Sequence, residues 1–228
     1  ASLTAAQGFN VYGEATGDLF GFSVALAGDI NGDGLADLIA GAPEQDLGGN
    51  STSAGRAYVI FGQVGGISSN LDLDNLGGAG FAISGRSIDY DTGHSVSAAG
   101  DINGDGFDDV IIGAPHLGGS STPSGDSYIV YGSNSTADVQ LQLNPAANAR
   151  FATISGVGIK ADFGTSVSGG GDVNGDGLAD IVVGAPNVGL NSGGGAAYTF
   201  YGSQAFPGQQ SANNFGTGKG FRFEGRLS

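Results

Sequence analysis

The chain contains no cysteine, no methionine and no tryptophan, and only seven of its 228 residues are Lys or Arg. Without cysteine there is no disulfide framework and no thiolate nucleophile. The shortage of cations leaves a net charge of −15, which argues against nucleic acid and anionic membrane as partners. No run of about 18 apolar residues occurs, so no membrane-inserted helix is expected. Only three Glu are present, Glu14, Glu44 and Glu224, and none pairs for two-carboxylate glycosidase chemistry. No GxSxG elbow or Ser-His-Asp ordering stands out among the many serines. His94 and His116 do not cluster with other ligand types and read as surface or packing residues. No enzymatic activity is therefore expected. The lack of Met and of a signal peptide at Ala1 reads as a piece of a longer precursor.

What the chain does have is glycine, 46 residues of it, and a nine-residue pattern written three times. It reads DINGDGLAD from Asp29, DINGDGFDD from Asp101 and DVNGDGLAD from Asp172, with starts 72 and 71 residues apart. Side-chain oxygens fall at positions 1, 3, 5 and 9 of each: Asp29, Asn31, Asp33 and Asp37; Asp101, Asn103, Asp105 and Asp109; Asp172, Asn174, Asp176 and Asp180. The backbone carbonyls of Leu35, Phe107 and Leu178 supply position 7. Calcium is a hard cation that takes six to eight oxygens at flexible geometry, and this spacing suits it. Glycines at positions 4 and 6 let the backbone curl where a side chain would clash. Three Ca2+ sites are expected. They are not EF-hands, because position 12 is Ala40, Ile112 or Val183 rather than Glu. NG and DG are also ordinary turn dipeptides, but three copies at one spacing exceed that reading.

Around each loop the sequence predicts four short strands. The first is Phe22–Gly28, His94–Gly100 and Thr165–Gly171. The second is the apolar run LIAGAP, VIIGAP or IVVGAP directly after each loop. The third is Gly55–Gly62, Gly125–Gly132 and Gly195–Gly202, with Tyr58, Tyr128 and Tyr198 in one register as core residues. The fourth is Gly80–Gly85, Arg150–Gly156 and Gly220–Gly225. An extra copy of the fourth, GFNVYG, stands at 8–13. The expected fold is all-β, built from propeller blades of four antiparallel strands with the loop between strands 1 and 2. The whole of 1–228 reads as a single propeller segment, with repeats at about 14–85, 86–156 and 157–225.

The pairs Phe20-Gly21 and Phe163-Gly164, followed by Gly41-Ala42-Pro43, Gly113-Ala114-Pro115 and Gly184-Ala185-Pro186 around the DxNGDGxxD loops, resemble the FG-GAP repeats of the integrin α-subunit propeller. The likeness covers nearly the whole chain. It implies seven-bladed geometry with calcium loops on the face opposite the main ligand face. The second repeat departs from the pattern, with Thr92-Gly93 where Phe-Gly is expected. Millimolar calcium outside cells makes a secreted or cell-surface location the natural one. The leading functional expectation is a non-enzymatic, calcium-stabilised module for extracellular protein binding or cell adhesion. Alternatives are a glycan-binding, lectin-like propeller and an accessory domain of a secreted enzyme. A glycan site would draw on the varied loops at 44–54, 86–92 and 116–124. Three blades do not close a ring, and unpaired edges favour self-association to complete one. The triplets at Asn50 and Asn134 match glycosylation sequons.

Overall fold

The computed structural model describes residues 8–46, 54–67, 71–86, 90–115, 124–141, 150–158, 160–188, 194–213 and 219–225. Each repeat forms one sheet. In the first repeat, β1 (Ser23–Gly28), β2 (Asp37–Ala42), β3 (Arg56–Ile60) and β4 (Gly80–Ser84) pair antiparallel in chain order. In the second, β5 (Ser95–Gly100), β6 (Asp109–Ala114) and β7 (Asp126–Val130) precede a short β8 (Val139–Gln140), and β9 (Phe151–Ser155) pairs with β7. In the third, β10 (Ser166–Gly171), β11 (Asp180–Ala185) and β12 (Ala196–Phe200) precede β13 (Gln209–Ser211), and β14 (Gly220–Glu224) pairs with β12. The strand expectations hold to within two residues at each end. The cause is local: β-branched and aromatic residues fill the strands and glycine punctuates their ends. Helical content among the described residues is two 3-10 turns, Leu73–Asn75 and Gly77–Ala79.

The sheets stack face to face. The face of the first that carries Ile39, Val59, Phe81 and Ile83 buries against Val110, Ile112, Tyr128 and Val130 of the second. The second turns Ile111, Ile129, Ala152 and Ile154 onto Ile181, Val183, Tyr198 and Phe200 of the third. Period-two alternation thus gives every sheet two apolar faces. Tyr58, Tyr128 and Tyr198 are all fully buried, as their common register implied. The third sheet's equivalent outward face is open: Phe223 is 65% exposed and Val182 38%.

Two features depart from four-stranded antiparallel blades. β8, from the second repeat, adds parallel to β4 through Ile83↔Val139 and Ser84↔Gln140. β13, from the third, adds parallel to β9 through three residue pairs. Two of the three sheets therefore carry a fifth strand lent by the following repeat. The second departure is at 8–13, where the expected extra strand is absent and the backbone is irregular. Both edges of β3, the third strand of the first sheet, are already taken by β2 and β4. Instead Val11 and Phe20 lie on the first sheet's outer face beside Tyr58 and Ile60. Glu14 pins this segment down, accepting from Tyr58 Oη at 2.6 Å, Arg56 Nη1 at 3.0 Å and Gln45 Nε2 at 3.0 Å.

Candidate metal-binding loops

Each DxNGDGxxD segment closes the hairpin between the first two strands of its sheet, after a register shift at Gly28, Gly100 or Gly171. The internal hydrogen bonds repeat residue for residue. Asp29 takes the N–H groups of Gly32 and Asp33 on Oδ1, at 2.8 and 3.0 Å, and that of Gly34 on Oδ2 at 2.8 Å. Asn31 Oδ1 accepts from Asp33 N at 2.9 Å, and Asp33 Oδ1 from Leu35 N at 2.8 Å. Asp101, Asn103 and Asp105 make the same set with Gly104, Gly106 and Phe107. Asp172, Asn174 and Asp176 repeat it with Gly175, Gly177 and Leu178. Amide donation holds the Asp172 carboxyl below the ordinary carboxylate range, the Gly177 N–H contributing most.

Position 9 differs in kind. Asp37, Asp109 and Asp180 are buried. Each bridges its own loop to the end of its third strand: Asp109 accepts from Ile102 N at 3.0 Å and Gly132 N at 2.8 Å. Asp37 does so with Ile30 and Gly62, and Asp180 with Val173 and Gly202. Burial pushes the Asp109 carboxyl up to about 7, with Asp105 and Asp101 adding to the rise against the two amides. Asp37 is raised for the same reason. The sequence marked these three as ligands and missed that they also staple the sheet.

Among the described residues no three acidic or His side chains stand at the spacing of a metal centre. The carboxylates are instead turned onto backbone N–H groups. The donor set nevertheless fits a hard cation. Every ligand-position side chain is an oxygen donor, the position-1 carboxylate accepts two N–H groups on Oδ1 but one on Oδ2 and so keeps a lone pair there, and positions 3 and 5 lie on an accessible rim. The crowding of like charge around Asp37 and Asp109 is what such a cation relieves.

The three stretches 20–60, 92–130 and 163–200, together just over half of the chain, match the model of the FG-GAP repeat. The chain belongs to the FG-GAP repeat family. Integrin alpha-PS5 of Drosophila melanogaster is 33% identical over 181 residues, which is 78% of this chain and 16% of that protein. Integrin alpha pat-2 of Caenorhabditis elegans is 37% identical over 171 residues, 74% of this chain and 13% of its own. Integrin alpha-5 of Xenopus laevis is 33% identical over 190 residues, 79% and 16%. The chain thus spans about one-sixth or less of the length of these relatives. Among its described residues no helix is long and apolar enough to cross a membrane.

The geometry explains why an FG-GAP repeat needs its glycines. A Cβ on Gly41 or Gly113 would stand 2.0 Å from the carbonyl oxygen of Gly93 or Gly164 in the next sheet. Those glycines have φ of +92° and +93°, a region that side chains rarely adopt. Their carbonyls also accept from Ser23 Oγ at 2.7 Å and Ser95 Oγ at 2.8 Å of the sheet before. The glycine of Phe-Gly therefore docks on the glycine of Gly-Ala-Pro one repeat earlier. The aromatic half has a separate task. Phe20 and Phe163 meet Tyr58 and Tyr198 edge-on at 5.6 and 5.4 Å. At the second repeat the buried Thr92 stands in that place, so the ring contact is lost while the Gly93 seam stays.

The other candidates yield less. His94 packs against Phe22, with ring centroids 5.0 Å apart, and burial lowers its pKa. His116, the Asn50 sequon and most of the loops at 44–54 and 116–124 lie outside the described residues. A polar hollow of about 370 Å3 is lined by Arg56, Asp74, Asn75, Thr136 and Asp138 but by no aromatic ring.

Proposed function

We propose that this chain is a calcium-stabilised, non-enzymatic module of an extracellular adhesion or protein-binding molecule. The residues that would hold Ca2+ are Asp29, Asn31, Asp33, Leu35 and Asp37, then Asp101, Asn103, Asp105, Phe107 and Asp109, then Asp172, Asn174, Asp176, Leu178 and Asp180. The observation that carries the reading is the threefold recurrence of one oxygen-rich loop, hydrogen bond for hydrogen bond, at the same place in three stacked sheets. Calcium there is structural: it neutralises carboxylates that tie the first strand to the second. The integrin relatives support the adhesion half. A propeller segment over 1–228, with repeats near 14–85, 86–156 and 157–225, is the corresponding organisation. The glycan-binding alternative lacks an aromatic platform in the polar hollow described.

Titration calorimetry is the direct test. Three calcium ions per chain are expected, and heats that never exceed the buffer control would end the calcium reading. Magnesium should compete poorly, because it demands compact octahedral geometry at about 2.0–2.1 Å and gives up water reluctantly. Equal affinities for the two ions would contradict that.

A second copy of the chain is the expected partner in concentrated solution. The open face of the third sheet, with Val182, Phe221 and Phe223, repeats the face that the first two sheets bury against their successors. At the opposite end Val24 and Leu26 of β1 are 70% and 68% exposed. Unlike ends of this kind make a heterologous, head-to-tail contact. Sedimentation should show mass rising with concentration, and Phe223→Ser should suppress the rise. A constant monomer mass for the unaltered chain would defeat self-association.

A further inference from the structure

The three loops touch. Phe107, at position 7 of the second loop, lays its ring over Gly32 of the first, and Leu178 of the third sits likewise on Gly104 of the second. Next to Phe107 stands Asp108, at position 8, which the ligand pattern passes over. Its carboxylate does not face its own loop. Asp108 Oδ2 accepts the N–H of Asp29 at 2.8 Å, and the Asp108 N–H donates to the Asp29 carbonyl at 3.1 Å. Asp29 is position 1 of the first loop, and its carboxylate gathers three of that loop's N–H groups. The approach is possible only because residue 28 is glycine, since a Cβ there would fall within 2.2 Å of Asp108 Oδ2.

The other junction is built without this carboxylate. Ala179 occupies position 8 of the third loop. Its N–H donates to the Asp101 carbonyl at 3.1 Å, matching one half of the clasp, but it has no side chain to supply the other. The two junctions therefore share a backbone bond and an apolar contact and differ by one charged acceptor.

From this we infer that Asp108 couples the first two loops, so that ordering of the second raises the cation affinity of the first. The inference rests on the calcium reading above. Asp108 lies between Phe107 and Asp109, which hold positions 7 and 9 of the second loop. Whatever fixes those two fixes the residue between them. Through its carboxylate, Asp108 fixes the backbone from which the position-1 ligand of the first loop projects. A positioning residue of this kind converts two independent sites into a pair. The second and third loops, joined through Ala179, should behave as near-independent sites.

The amide cross-peaks of Gly34, Gly106 and Gly177, one per loop, report each site separately in an isotope-labelled calcium titration of the chain. Asp101→Asn, which disables the second loop, should weaken the Gly34 midpoint about 5-fold or more. In the Asp108→Ala background the same substitution should shift it less than about 2-fold. Asp172→Asn should leave the Gly106 midpoint close to that of the unaltered chain. Ala179→Asp, placed beside Gly100 as Asp108 is beside Gly28, should make Gly106 depend on the third loop, so a gain as well as a loss is read. A purely structural Asp108 would lower the melting temperature and leave the dependence of Gly34 on the second loop unchanged. That result, or a Gly34 midpoint indifferent to Asp101→Asn in the unaltered chain, overturns the coupling while leaving three calcium sites. Three cross-peaks that never move with calcium would overturn both the coupling and the reading beneath it.

Discussion

Removing calcium is expected to lower the melting temperature by about 15–30 °C. An ion present at about 100 times its dissociation constant adds about 2.7 kcal/mol to the state it binds, so three sites add about 8 kcal/mol. For a chain of this size each kcal/mol moves the midpoint by about 2–4 °C. The sign follows from the geometry. With no cation the position-9 carboxyls of the first two loops bear, on top of their burial, the like charge of the neighbouring aspartates, and at neutral pH the buried Asp109 is ionised only against its environment. A melt in excess chelator, followed by calcium re-addition, measures the effect. An unchanged midpoint would remove the structural role of the ion. Recovery with calcium but not with magnesium would tie the gain to these loops rather than to ionic strength.

The second large effect is expected at position 9 and should persist without the ion. Asp109→Ala strands the buried N–H groups of Ile102 and Gly132, at about 1–3 kcal/mol each. Losing a carboxyl that burial disfavours offsets part of this, leaving a net cost of about 3 kcal/mol. The chelated protein should then melt about 6–12 °C lower than the chelated unaltered chain. Asp105→Ala on the exposed rim should lose metal and cost the chelated protein little, because among the described residues its carboxylate serves only Phe107 N and Asn103 Nδ2. If both variants melted alike in chelator, position 9 would be a ligand and nothing more. Denaturation curves of the two variants with and without chelator make the comparison.

This split shows where the sequence was legible. Strand existence and order followed from runs such as DVIIGA and DSYIV, because a two-faced buried strand leaves its composition in the chain. The loops were legible because a tight acidic turn needs specific residues at fixed offsets. What stayed hidden depends on partners far along the chain. Val139–Gln140 and Gln209–Ser211 are too short to show any alternation, and only their neighbours in space make them strands. Position 8 reads Ala36, Asp108 and Ala179, which suggests a filler rather than a contact. Its meaning appears only when Gly28 of the previous repeat is beside it. Glu14 looked inert because no second carboxylate accompanies it. It instead joins Arg56, Tyr58 and Gln45, which lie 31 to 44 residues away. The segment at 8–13 misled in the opposite direction: its composition is that of a fourth strand, and composition says nothing of whether an edge is free to receive it.

The strands lent between neighbouring repeats have a mechanical consequence. The first sheet meets the second, and the second the third, through a glycine seam beside β1 and β5, and β8 and β13 add a second attachment at the opposite sheet edge, on β4 and β9. A plate held along one edge can swing like a door, whereas one held along both cannot. Tension drawn along the backbone must shear both attachments together before any one repeat peels away. The array should therefore yield under load as a block, in one tall force event rather than a ladder of small ones.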